Sequence, residues 1–113
     1  MRFQASTIFK ILGVGTILLI FGLSLQAAPA SDAGGDLFKQ KCSMCHGADG
    51  KGYAALKTPD FTDPRVQASL TDKQITETIK NGKPGTAMPA FGGKLSDDQV
   101  KSLVTYIRSL KKQ

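Results

Sequence analysis

Both cysteines and the single histidine of this 113-residue chain fall within five positions, Cys42-Ser43-Met44-Cys45-His46. Two thiols separated by two residues and followed at once by an imidazole form the C-x-x-C-H arrangement by which haem is attached covalently. The thiols add to the two vinyl groups of the porphyrin. The spacing lets both sulfurs reach one porphyrin edge while the adjacent imidazole reaches the iron. Other chemistries fit these residues less well. A zinc site calls for four protein ligands, and beyond Cys42, Cys45 and His46 the chain has no further Cys or His. A thioredoxin-like redox pair belongs beside a βαβ pattern, which this chain lacks. A plain Cys42–Cys45 disulfide leaves the histidine without a role and closes a loop too small to restrain the unfolded chain much.

An iron that only exchanges electrons takes a second axial ligand, and a neutral thioether sulfur there raises its potential. The chain has three methionines. Met1 belongs to the leader, and Met44 is confined between the two cysteines, pointing away from the metal. Met88 remains, in Asn81-Gly-Lys-Pro-Gly-Thr-Ala-Met-Pro-Ala-Phe-Gly-Gly93. A lone methionine usually fills core space. This one sits in a glycine- and proline-rich loop rather than on an apolar stripe, so axial ligation is the expectation.

Helices must position these groups. Leu37 and Phe38 lead into the cysteines from a first short helix, with Gly34 one turn before Phe38. A second helix is predicted in Leu70-Thr-Asp-Lys-Gln-Ile-Thr-Glu-Thr-Ile-Lys-Asn-Gly82. There Thr71 and Gln74 form a capping box, Leu70 and Ile75 a hydrophobic staple, and Gly82 a left-handed stop. A third is predicted from Leu95 to the terminus. Ser96 and Gln99 repeat the box, and Asp97 and Asp98 meet the positive end of the helix dipole. Val100, Leu103, Val104, Ile107 and Leu110 make its apolar stripe, and Lys111 and Lys112 sit at its negative end. Between Gly47 and Ser69 the chain reads as loop, apart from a turn opened by Asp63-Pro64 and running to Gln67. So long a loop is unusual in a compact domain, unless it wraps something large and apolar that is not protein. No strand pattern or repeat is visible. The expected class is all-α, three to four short helices.

The first 30 residues read as a secretory signal. Arg2 and Lys10 precede an uncharged run, Ile11 to Leu25, and small residues at Ala28 and Ala30 suggest cleavage after Ala30. An uncleaved anchor is the alternative, although the run is shorter than the roughly 18 residues of a spanning helix. The working domain is then 31–113, exported to a periplasmic or other extracytoplasmic site, where haem is attached to such motifs. A domain this small needs a staple, metal or cofactor to complete its core, and two cysteines provide no disulfide framework. Even without Arg2 and Lys10, the remaining basic residues outnumber the 9 acidic ones. Lys51, Lys83 and Lys94 flank the ligand segments, and Lys101, Lys111 and Lys112 lie in the last helical segment. A basic face of this kind steers a protein toward acidic partners. Nucleic acid is not an expected partner of an exported haem protein.

The chain resembles the small monohaem class I cytochromes c over essentially all of Gly34 to Leu110, through Cys42-Ser-Met-Cys-His-Gly47, a glycine-rich loop, Met88-Pro-Ala-Phe91 and a final amphipathic helix. Bacterial soluble carriers and the cytochrome modules of terminal oxidases share this pattern. The resemblance implies one covalent haem c held by Cys42 and Cys45, with iron between His46 and Met88, and Phe91 in the haem pocket with Phe38, Phe61, Leu95, Leu103 and Ile107. It implies first and last helices crossing through Gly34, Phe38, Leu103 and Tyr106, and a Pro59 carbonyl that orients His46. The chain has no tryptophan to match the propionate-binding tryptophan of the mitochondrial branch, and Tyr53 or Lys57 is the candidate replacement. The function implied is one-electron transfer between redox partner proteins, by a monomer and without enzymatic activity. A haem subunit of a membrane oxidase or dehydrogenase is one alternative. Another is a peroxidase or gas-binding protein, should Met88 not ligate.

Overall fold

The computed structural model describes residues 29–113. The expected signal lies outside the described residues except for Pro29 and Ala30, which stand at the start of a helix. Five α-helices follow in order: α1 Ala30–Lys41, α2 Ser43–His46, α3 Pro64–Ser69, α4 Asp72–Asn81 and α5 Asp97–Ser109. A 3-10 turn, Ala54–Leu56, lies between α2 and α3. Among the described residues there is no strand, only an isolated bridge between Gly92 and Leu95. None of these helices is long and apolar enough to cross a membrane.

Local chemistry sets the helix starts. In α4 the Thr71 hydroxyl accepts from the Gln74 N–H while the Gln74 side chain accepts from the Thr71 N–H. Ser96 and Gln99 do the same for α5. Each pair satisfies two N–H groups that a helix terminus leaves unpaired. α3 opens on Pro64 at its first position, with the Asp63 carboxylate accepting from the Arg65 N–H at 2.8 Å. It runs two residues beyond the turn the sequence suggested, to Ser69. α5 stops short of expectation, at Ser109. The chain turns away there, and Lys112 N–H donates to the Thr62 carbonyl at 3.0 Å, so Lys111 and Lys112 lie beyond the helix.

α1 packs on α5, and glycine makes the approach possible. Gly34 and Gly35 weaken α1 by about 1 kcal/mol each relative to alanine. A Cβ on Gly34 would drive into the Ser102 carbonyl oxygen, and one on Gly35 would lie 3.0 Å from the Tyr106 ring. Phe38 meets the Tyr106 ring at 5.3 Å between centroids, and Leu103 is 0% exposed beneath them. The four residues named for this crossing thus share one interface. Phe38, Phe61, Ile75, Ile79, Val100, Leu103, Val104 and Ile107 form the core. Phe91 and Leu95, expected in the haem pocket or the core beside it, are half-buried and packed against that core.

Candidate functional site

Cys42 closes α1 and leads into the single turn of α2, which bears Met44, Cys45 and His46. Cys45 and His46 N–H groups both donate to the Cys42 carbonyl, at 3.1 and 2.9 Å. This turn gathers both sulfurs and the imidazole and leaves Met44 87% exposed. No disulfide joins Cys42 and Cys45. Burial, reinforced by the neighbouring Cys45, pushes the Cys42 thiol up to about 11.

The other half of the site is the loop after α4. Gly82 ends that helix with φ 71° and ψ −175°, so it is not the left-handed stop expected, although its φ still favours glycine. Side-chain space matters equally there: a Cβ would lie 2.8 Å from the Met88 carbonyl and 2.9 Å from the Ala90 nitrogen. The loop is tied to the helix end by backbone bonds. Phe91 N–H donates to Ile79 O at 2.9 Å and Gly92 N–H to Lys80 O at 2.8 Å, while Lys83 N–H closes the loop on itself at Met88 O, 3.2 Å away. Inside the loop Thr86 Oγ1 accepts from the Met88 N–H at 3.2 Å and donates to Lys83 O at 2.7 Å.

Between these segments lies a cavity of about 650 Å3, within the roughly 300–1,000 Å3 of small-molecule and cofactor sites. Of the residues singled out by sequence, Cys42, Cys45, His46, Pro59, Met88 and Phe91 line it. Tyr53 does not. It is 49% exposed, and its N–H donates to Thr58 Oγ1 at 2.7 Å. Lys57, the other candidate to replace the absent tryptophan, is on the wall. Sequence reasoning missed Lys41 and Leu56 as wall residues and placed Ile75 and Ile79 only on one face of α4. That shared face was the signal for the two isoleucines. Lys41 had none, since it precedes the motif like any surface lysine.

The imidazole is held between aromatic rings, with Phe61 stacked at 5.2 Å and 18° and Phe38 tilted at 6.3 Å. Its Nδ1 is buried with no hydrogen-bond partner, so the bond expected from it to the Pro59 carbonyl is not made. Burial lowers the His46 pKa, which favours the neutral ring, one of whose nitrogens then offers a lone pair. Two thiols, an unpartnered neutral imidazole and a thioether converge on an apolar hollow, a donor set that fits a covalently held haem.

A family model described as "Cytochrome C oxidase, cbb3-type, subunit III" matches residues 29–107. The chain belongs to the cytochrome c family. This cytochrome is 37% identical over 82 residues to the cbb3-type cytochrome c oxidase subunit FixP of Azorhizobium caulinodans, which covers 73% of this chain and 28% of that one. It is also 37% identical over 75 residues to cytochrome c6 of Leptolyngbya boryana, 66% of this chain and 86% of that one. The chain thus spans under a third of the length of the FixP relative. Among solved structures, the KustC0563 c-type cytochrome superposes with a TM-score of 0.65 at 38% identity, over 70% of this chain and 98% of that one. The chain is a small all-α cytochrome c domain of class I that carries covalent haem c.

Proposed function

We propose that this cytochrome is a one-electron carrier with its iron held between His46 and Met88, working outside the cytoplasm and without substrate chemistry of its own. The observation that supports this best is the convergence of Cys42, Cys45, His46 and Met88, from two separate segments, on one cavity. When bound, the haem supplies a single-electron ferric–ferrous exchange. The protein does the rest. The two cysteine sulfurs tether the group, and the buried imidazole offers a neutral nitrogen donor. The loop at the end of α4 offers the thioether, which favours the reduced state. Phe38, Phe61, Ile75, Ile79, Leu103 and Ile107 exclude water, so a change of charge at the centre disturbs little solvent.

Lys41, Lys57 and Lys83 border the cavity, and Lys51 lies nearby in sequence. Their positive field would draw in a partner with an acidic docking face. The near-infrared spectrum and redox titration of the matured protein test this reading. A sulfur-to-iron charge-transfer band in the oxidised form supports it, and a spectrum of an open or differently ligated iron defeats it. A second reading, a haem module within an oxidase complex, is favoured by the match to the cbb3-type subunit III model across 29–107. Co-purification with a membrane enzyme would favour that reading over a diffusing carrier.

A further inference from the structure

Gln67 is a buried polar side chain far from both ligand segments in sequence, yet all of its hydrogen-bonding groups are engaged. Its Nε2 donates to the Phe61 carbonyl at 2.6 Å and to the Ile107 carbonyl at 2.7 Å. Its Oε1 accepts from Arg108 Nη1 at 2.9 Å. The same guanidinium reaches the Gln67 carbonyl at 2.7 Å, the Leu70 carbonyl at 2.5 Å and Asp72 Oδ1 at 2.7 Å. The amide can face only one way, because a flip would set its oxygen against two carbonyls and its NH2 against the guanidinium. Phe61 is therefore held at both ends of its backbone, since its own N–H donates to the Gly50 carbonyl at 2.9 Å. Its ring lies on the His46 imidazole, nearly parallel.

We propose that Gln67, locked by Arg108, is a positioning residue for the His46 imidazole, which would hold the haem iron: by fixing Phe61 it sets the plane in which the His46 ring stands. The inference rests on His46 being the iron's nitrogen ligand. A simple filler at this site would need volume alone. The amide instead spends both protons on backbone carbonyls, that of Ile107 in α5 and that of Phe61, the residue stacked on His46. The Phe61 ring, stacked at 5.2 Å and 18°, restrains the imidazole's rotation. Ligand orientation is among the levers by which a protein tunes a bound metal.

The test uses matured, haem-loaded protein and two substitutions. Gln67→Glu keeps a partner for Arg108 but, ionised, has no proton for the Phe61 carbonyl. Gln67→Leu removes both ties. Electron paramagnetic resonance of the oxidised form reads imidazole orientation through its g anisotropy, and redox titration reads the potential. Both variants should change the g values and shift the reduced-to-oxidised ratio several-fold at a fixed ambient potential. In a Phe61→Leu background, Gln67→Leu should then change little more, as coupled residues behave in a double-mutant cycle. Arg65→Ala, on the exposed side of α3, should leave both readings alone. Should Gln67→Leu fail to mature, Arg108→Lys keeps the charge but not the fork and should move them the same way. Haem-loaded variants that melt lower yet keep wild-type g values and potential would overturn the proposal, reducing Gln67 to a structural tie. A wild-type protein without low-spin histidine–methionine signals would instead sink the ligand assignment, and this inference with it.

Discussion

At Met88, a residue in a loop rather than a packed stripe acquires a fixed place because its neighbours bond to the end of α4. Met88→Ala should remove the sulfur-to-iron band and lower the midpoint potential, since the thioether is the donor that favours ferrous iron; a redox titration beside the wild type checks both. Acid response also resolves to single residues. The Asp97 carboxyl is held below the usual carboxylate range by the hydrogen bond from Lys80, at 2.6 Å, and then by that lysine's charge. A depressed folded pKa means the contribution is complete above the ordinary carboxylate value, about 3.9, and disappears as pH falls through the folded value. Asp97→Asn should therefore melt below wild type at pH 7, the gap closing in acid. Because the pair is exposed, the gap should be small and should shrink in salt. The C-x-x-C-H motif was legible in the sequence because its reach is local. The exposed Tyr53 and the wall lysine Lys41 were not, because which loop residues turn inward depends on partners distant in the chain.

At the scale of elements, the same contrast holds between ends and contacts. Both capping boxes could be read directly, since each is a contact between residues three apart. The end of α5 could not, because nothing after Ser109 breaks a helix; its stop comes from Lys112 bonding to Thr62, 50 positions earlier in the chain. Arg108 and Gln67, 41 apart, left no local signal either. The α1–α5 contact gives a prediction in which two effects oppose. Gly34→Ala improves helix propensity by about 1 kcal/mol, but its Cβ meets backbone at Ser102, which cannot swing aside. Overpacking of this kind costs about 1–3 kcal/mol, so a net loss in thermal stability is expected, and a melting curve decides. Ser96→Ala removes only a cap and should cost about 1 kcal/mol, read the same way.

For the whole molecule, the long segment between α2 and α4 makes sense only around a bulky apolar partner. A cavity of about 650 Å3 beside eight buried apolar side chains leaves the bare polypeptide with part of its core missing. A Cys42→Ala/Cys45→Ala protein should accordingly lack a native-like far-UV circular dichroism spectrum. If the lysines around the cavity steer docking, electron-transfer rates with an acidic partner should fall as ionic strength rises. The stitching of the 83–92 loop onto α4 has one more consequence. Because the backbone bonds of Phe91 and Gly92 end on Ile79 and Lys80, lifting the thioether arm away at that end means breaking them. Amide hydrogen exchange at those two positions thus becomes a clock for detachment of the sulfur, readable without any optical probe of the centre itself.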